Sequence, residues 1–343
     1  MKRPTMLDIA NRAGVTKGAV SFALNGRPGV SEPTRRRILA IAEELGWQPN
    51  SAAVALSDGR AGAFGLVVDR PAQTLGLEPF FMNLISGIQG ELSGDGTPLL
   101  FTVAEDQRAE IAIYRSWWAR RRVDGVFLVD LRQDDPRIQV LEGLRMPTVV
   151  VGGPGGSGSL PAVWSDDRAA VRTALSHLVG LGHRRIGRIS GPEPLLHTRI
   201  RSAAFEQLTA EYRVSGRTVA TDYSGEQGAA ATRRLLGPDQ PDGGLPPTAL
   251  LYDNDVMAVS GLTAAQALGL RVPQDVSLIA WDDSPLCGLV NPSLTALSRD
   301  IAGYGARAAR LLREVSGGAV VADVEDPAPR LRIRDSTGPA PRG

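Results

Sequence analysis

Apolar positions along this chain follow two spacings, and the change from one to the other falls near residue 60. Before it, the spacing is helical. Thr5 stands as an N-cap with Asp8 three residues on, so a first helix starts at about Met6 and ends at Gly14. Thr16 caps a second helix, Lys17–Leu24, that Asn25 and Gly26 stop, which leaves only 13–15 as the turn. That is the length a helix-turn-helix uses. Ser31 as N-cap, Pro33 in the first turn and a stripe of Ile38, Ile41, Ala42 and Leu45 predict a third helix, ended by Gly46.

The second helix has two faces. Val20, Ala23 and Leu24 fall on one side, near Val15, while Lys17, Gly18, Ser21 and Phe22 project from the other. A helix entering the major groove needs this division. Lys17 and Ser21 can bond to base edges or phosphates, Phe22 can touch a thymine methyl, and Gly18 lets the backbone approach.

From 61 onward short apolar runs alternate with amphipathic stretches. Strands are predicted at Phe64–Val68, 97–103, 125–129 and Thr148–Val151, with helices at 80–92 and 109–121. A second block repeats the pattern, with strands at Arg185–Ser190, Ala249–Tyr252 and 276–281 and helices at 169–181, 201–211, 228–236 and 258–268. This is the βαβ signature of parallel sheets covered by helices. The Gly- and Pro-rich stretch 152–161 reads as a loop near the crossover between the blocks.

Charge separates the two regions as clearly as periodicity does. Residues 1–60 hold nine Lys and Arg against five Asp and Glu, and the rest of the chain holds 29 against 32. The formal net charge of +1 therefore conceals a basic head on a mildly acidic body, the distribution expected of a phosphate-binding module. The 343 residues suffice for that head and two further domains. No apolar run of about 18 residues occurs, so no membrane partner is expected, and the polar N-terminus is unlike a secretory signal. The single Cys287 and three scattered His exclude an internal disulfide and a zinc site. The cytoplasm is the simplest compartment, and no cofactor is expected.

Enzyme motifs fail in this frame. Pro154 spoils the 152–158 glycines as a dinucleotide turn, and neither GxxxxGK[ST] nor GxSxG occurs. His183 sits at a helix-to-strand corner, a structural place. Asp282 and Asp283 are adjacent in extended chain and point to opposite sides, so one can face a ligand and the other cannot.

The segments TMLDIANRAGVTKGAVSFALNG and PGVSEPTRRRILAIAEELGWQPNSAAVAL resemble the head and hinge of the lactose-repressor (LacI) family of bacterial transcription regulators. EPFFMNLISGIQGEL, LVGLGHRRIG, RSAAF, YDNDVMA, VPQDVSLIAWDDSP and NPSLTAL follow in the order of that family's effector-binding body. The resemblance implies an all-α helix-turn-helix head on an α/β body of two Rossmann-like lobes, similar to periplasmic sugar-binding proteins. It implies a head at 1–49, a hinge helix and linker at 50–60, an N-terminal lobe at 61–163 plus 296–328 and a C-terminal lobe at 164–295. A strand remnant and flexible tail would occupy 329–343. The tail has no heptads, so the expected assembly is a homodimer.

Family roles transfer residue by residue. Lys17, Gly18 and Phe22 fall at base-reading positions, Thr16 and Ser21 at phosphate or base positions, and Thr5 and Asn25 complete the set expected on double-stranded operator DNA. Relatives often carry Arg where Phe22 stands, and that Arg would give a bidentate guanine contact. Leu56 matches the hinge leucine that wedges the minor groove, Ala53 matches the close-packed hinge contact, and Val54 replaces a common Arg. Phe80 or Phe81, Trp164, Arg201, Tyr223, Asn254 and Asp282 fall at effector-contacting positions, suited to a polyol. Ala204 stands where relatives often have Gly, and Gly152 where some sugar responders have Asp. The effector is therefore a sugar, a sugar phosphate or a nucleoside-like molecule. The expected function is a dimeric repressor of carbohydrate-use genes. A transport receptor or a sugar- or nucleoside-acting enzyme on the same body is the alternative.

Overall fold

The computed structural model describes residues 4–47, 60–237 and 244–342. The chain divides into two compact units, Met1–Ala61 and Gly62–Gly343.

In the first unit the helices are α1 (Met6–Ala13), α2 (Lys17–Leu24) and α3 (Glu32–Glu44). The capping box at α1 is complete: the Asp8 amide donates to Thr5 Oγ1 at 3.3 Å and the Thr5 amide to Asp8 Oδ2 at 2.7 Å. Gly14 ends α1 in the left-handed region, φ 64°, where a side chain would be strained. Thr16 caps α2 by accepting from the Ala19 amide. Ser31 stands at the start of α3 but does not cap it, because its hydroxyl lies 2.9 Å from the Thr34 hydroxyl instead. Ile9, Val20 and Ile38, one from each helix, are fully buried, each contributing about 1.5–3 kcal/mol. Arg35 is not a free surface cation. It donates to the Arg27 and Ala23 carbonyls and so fastens the loop between α2 and α3.

The second unit is built on two six-stranded sheets. The strands are β1 (Phe64–Val68), β2 (Leu99–Val103), β3 (Gly125–Leu128), β4 (Thr148–Val151), β5 (Ala162–Ser165), β6 (Arg185–Ser190), β7 (Ser215–Ala220), β8 (Ala249–Tyr252), β9 (Ser277–Trp281), β10 (Thr295–Ser298), β11 (Val324–Asp326) and β12 (Arg330–Arg332). One sheet runs β11-β5-β4-β3-β1-β2 and the other β12-β10-β9-β8-β6-β7. Every pairing is parallel except β10 with β12. Central strands such as β1, β3, β4 and β9 are buried throughout and read as continuous apolar runs. In the first lobe, helices Pro79–Leu92 and Ile301–Ser316 cross where Gly87 meets the Ala302 backbone and Gly305 the Leu84 carbonyl. A Cβ at either glycine would overlap those backbone atoms.

Two boundaries differ from expectation. β10 pairs with β9 at Thr295–Ile279, so 296–298 belong to the second sheet, and the chain returns to the first lobe only with helix Ile301–Ser316. The C-terminal stretch is not a flexible tail. Leu278 N donates to Ser336 O at 2.8 Å, Thr295 N to Ser336 Oγ at 2.8 Å and Ala340 N to Leu181 O at 2.9 Å, so the stretch supplies partners to buried backbone groups at the starts of β9 and β10.

Candidate functional site

The head presents its exposed residues along α2. Thr5, Thr16, Lys17, Gly18 and Asn25 are exposed, Phe22 is 43% exposed, and Ser21 is half-buried with its hydroxyl near Asn25 Nδ2. Val20 and Ala23, on the opposite side of the same helix, are buried. Phe22 is not fully free, because its ring lies against the backbone of Gly29 (φ 114°), which has no Cβ to collide with it.

The second unit holds a cleft at the carboxyl ends of its strands, the position at which open parallel sheets take ligands. It is open to solvent on one side and lined mainly by charged and aromatic side chains. Arg70 follows β1, Asp130 follows β3, Gly152 follows β4, Ser165 ends β5, Asp253 follows β8, Asp282 follows β9 and Arg299 follows β10. Asp130, Tyr223 and Asp282 adopt left-handed backbone, with φ of 51°, 71° and 62°. Such residues persist where the surroundings fix them, and here all three line the cleft.

Each arginine of the lining is held between a carboxylate and an aromatic ring. Arg70 grips Asp130 with two bonds, 2.6 and 3.0 Å, and lies 4.8 Å from the Tyr223 ring centre. Arg201 donates to Asp167 at 3.2 Å and to the Asp253 carbonyl at 3.3 Å, and stacks 3.7 Å over Trp281. Arg299 donates to Asp282 at 3.2 Å and lies 5.1 Å over Phe80 and 5.5 Å over Tyr304. Planar guanidinium suits both contacts at once. Asp253 is matched from behind by the fully buried Arg188, at 2.9 and 2.5 Å.

Burial governs the titration of the remaining groups. Glu78 is pushed up to about 7 by desolvation, with Arg70 opposing and Asp130, Asp282 and Asp255 adding to the rise. Asp255 rises to about 6 for the same first reason. His197 is pushed down to about 3 by burial and by Arg201, so it is neutral at pH 7 and lies 2.8 Å from the Tyr223 hydroxyl. Burial works against the ionised form of Asp130, yet the charge and hydrogen bonds of Arg70 hold it below the usual carboxylate range.

Residues 5–50 match bacterial regulatory proteins of the lacI family, and 175–337 match a periplasmic binding protein-like domain. The chain is 34% identical to the HTH-type transcriptional regulator MalR of Streptomyces coelicolor, over 98% of this chain and 97% of that protein. The chain belongs to the lacI family of regulators. It is a DNA-binding transcriptional regulator and not an enzyme. Among solved structures it resembles the transcriptional regulator CelR in complex with cellobiose, with 29% identity, a TM-score of 0.73 and coverage of 97% of this chain and 100% of that one. It shares its fold with the lac repressor dimer bound to operator, at 24% identity, a TM-score of 0.86 and coverage of 98% and 100%.

Of the effector positions transferred from the lacI family, Phe80, Arg201, Tyr223 and Asp282 line the cleft. Three do not. Phe81 is 1% exposed and packs in the first-lobe core, because it follows Phe80 on a helix and points elsewhere. Trp164 sits within β5, and strand alternation sends its neighbour Ser165 to the lining in its place. Asn254 is the N-cap of helix Asp255–Ala267, accepting from the Met257 amide and donating to the Tyr223 carbonyl, and the preceding Asp253 lines the cleft. Arg201 is paired with Asp167 rather than free. Only Asp282 of the adjacent pair lines the cleft, as expected, and Asp283 turns away to Arg334 at 2.5 Å; the reason is not extended-chain alternation, since Asp282 lies past the end of β9 in left-handed backbone. His183 is fully buried and bonded to Thr248, Ser277 and the Gly338 carbonyl. Sequence reasoning missed Arg70, Glu78, Asp130, Asp167, His197, Asp253 and Arg299. The hinge residues Ala53, Val54 and Leu56 lie outside the described residues. Among the described residues no cluster suited to a metal ion occurs, and no helix is long and apolar enough to cross a membrane.

Proposed function

We propose that this lacI-family regulator is a homodimeric repressor of carbohydrate-use genes, which grips a palindromic operator through two heads and responds to a sugar in the cleft. The observation that carries the reading is the cleft itself. A polar cleft edged by Phe80, Tyr223 and Tyr304 offers the hydrogen-bonding groups and ring faces that suit a sugar, and it joins two lobes whose relative angle a ligand can set. CelR, solved with cellobiose, supports the same choice of ligand class.

The exposed side of α2 supplies Lys17, Ser21 and Phe22 for the operator, with Thr5, Thr16, Gly18 and Asn25 beside them. Ala53 and Leu56 serve the centre of the operator, as the family resemblance implies. Two exposed apolar side chains on one side of edge strand β2, Phe101 and Val103, support self-association. Surfaces of this kind favour a symmetric partner.

Titrating the full chain onto a palindromic site at several salt concentrations tests the DNA half. Log affinity falls steeply with log salt if phosphates are neutralised, and a flat response refutes it. Sedimentation tests the dimer. Repeating the titration with saturating maltose or cellobiose tests the switch, which requires operator affinity to change.

A further inference from the structure

Five carboxylates line the cleft, and four of them are matched by an arginine: Asp130 by Arg70, Asp167 by Arg201, Asp282 by Arg299 and Asp253 by Arg188. Glu78 is the fifth. It is only 7% exposed, and its Oε2 is buried with no hydrogen-bond partner among the described residues. Nor does it serve its own helix, because Glu78 stands at the N-cap of Pro79–Leu92 without making a side-chain cap bond. A buried carboxyl oxygen without a partner is costly to the fold, so its retention on the wall of a ligand chamber points to a partner that arrives with the ligand.

The charge balance says what that partner is. Among the described lining residues there is no lysine, every arginine is already neutralised, and His197 is held neutral by its burial. A phosphate entering this chamber meets one unmatched carboxyl and no unmatched cation. A hydroxyl group meets an acceptor, or a donor when Glu78 carries its proton.

We propose that Glu78 is the effector-reading carboxyl of the cleft, which bonds a ligand hydroxyl and restricts the effector to uncharged polyhydroxyl molecules, to the exclusion of their phosphate esters. This rests on the reading of the cleft as the effector site and narrows it, removing sugar phosphates and nucleotides from the ligand class.

Calorimetric titration of the full chain at pH 8, where Glu78 with its value of about 7 is mostly ionised, with glucose, maltose and cellobiose, and with phosphomonoesters of the same sugars, tests it. A neutral sugar binds, and its phosphomonoester binds at least about 100-fold more weakly. Glu78→Ala weakens the neutral sugar by about tenfold, the loss of one hydrogen bond to a charged or buried group. Glu78→Gln preserves the volume and the hydrogen-bonding capacity, keeps most of the neutral-sugar affinity and narrows the gap to the phosphomonoester at least about tenfold. It also carries the test if the alanine variant fails to fold. A phosphomonoester that binds wild type as tightly as the sugar overturns the proposal. So does a gap that Glu78→Gln leaves unchanged while the neutral sugar still binds, and in that case the effector reading survives. Binding of neither class, in a chain that still binds operator, removes the effector reading and this inference together.

Discussion

The head and the cleft differ in how far apart in sequence their working residues lie. The head brings its reading face, its caps and its turn from fewer than fifty consecutive positions, and each device is a local one: Thr5 with Asp8, Gly14 after α1, Thr16 before α2. The cleft draws on strand ends, loops and helices from Arg70 to Tyr304. It exists only once two sheets have formed. Local devices fail singly and mildly, whereas a chamber assembled from remote pieces depends on buried charge and close backbone contact that fail together.

Substitutions can break that contrast, beginning with the largest effect. Arg137 is 2% exposed and joins Glu110 and Asp135 beneath the cleft, while also donating to the Asp130 carbonyl at 2.8 Å. Arg137→Met leaves two buried carboxylates unmatched and lowers the stability of the second unit by about 3–5 kcal/mol. Thermal unfolding followed by calorimetry should show that unit melting earlier while the head transition stays in place. A shared drop of both transitions would contradict the independence of the two regions.

Next comes a titration effect. Glu78 has its folded value raised to about 7 from an ordinary 4.5, so the folded state holds a proton that the unfolded chain has released. Its contribution to stability is therefore complete below pH 4.5 and is lost as pH rises to about 7, a change of at most about 3 kcal/mol. Glu78→Gln removes this slope. The stability of the variant relative to wild type, from urea unfolding, should rise across that window and level off above it, and a flat difference would place Glu78 in contact with water.

In the head the expected effects are smaller and confined to the head itself. Phe22→Arg restores a guanidinium at a base-reading position and should shift preference toward guanine at one operator position by about 1–3 kcal/mol, read from affinities for a set of single-base operator variants. Sugar binding should not move. Thr5→Ala removes one half of the capping box and should lower the head's stability by about 1 kcal/mol, measured as an earlier head transition. A comparable loss in the second unit would break the comparison.

The same contrast explains what could be read from sequence. All three head helices were visible because caps and stripes are short-range signals. In the body most buried strands were visible as apolar runs, but the short buried strand β5, AVWS, directly after the Gly- and Pro-rich loop, was not, and neither was β7: Ser215–Ala220 is an edge strand with alternate residues exposed, and its sequence, SGRTVA, has no run to detect. β10 was missed because its lobe is decided by pairing with β9 rather than by any residue it contains. In the cleft, family position located Arg201, Tyr223 and Asp282, while Asn254 fell one residue from the lining Asp253 and Trp164 one residue from Ser165. A one-residue step decides which way a side chain points, and no periodicity fixes it where a strand gives way to a loop or helix. Glu78 carried no signal at all, because its meaning lies in the four ion pairs that exclude it.

The route of the chain also sets an order of synthesis. Neither lobe is contiguous: the first needs helix Ile301–Ser316 and β11, and the second needs β10, β12 and the stretch through Ala340 that bonds to Leu181. The head, by contrast, has all its described core residues by Trp47. On a ribosome releasing residues from the N-terminus, the part that reads DNA can fold while most of the chain is still to be made, and both lobes wait for the last fifty residues. A nascent or prematurely ended chain therefore carries a folded reading head without the body that would control it.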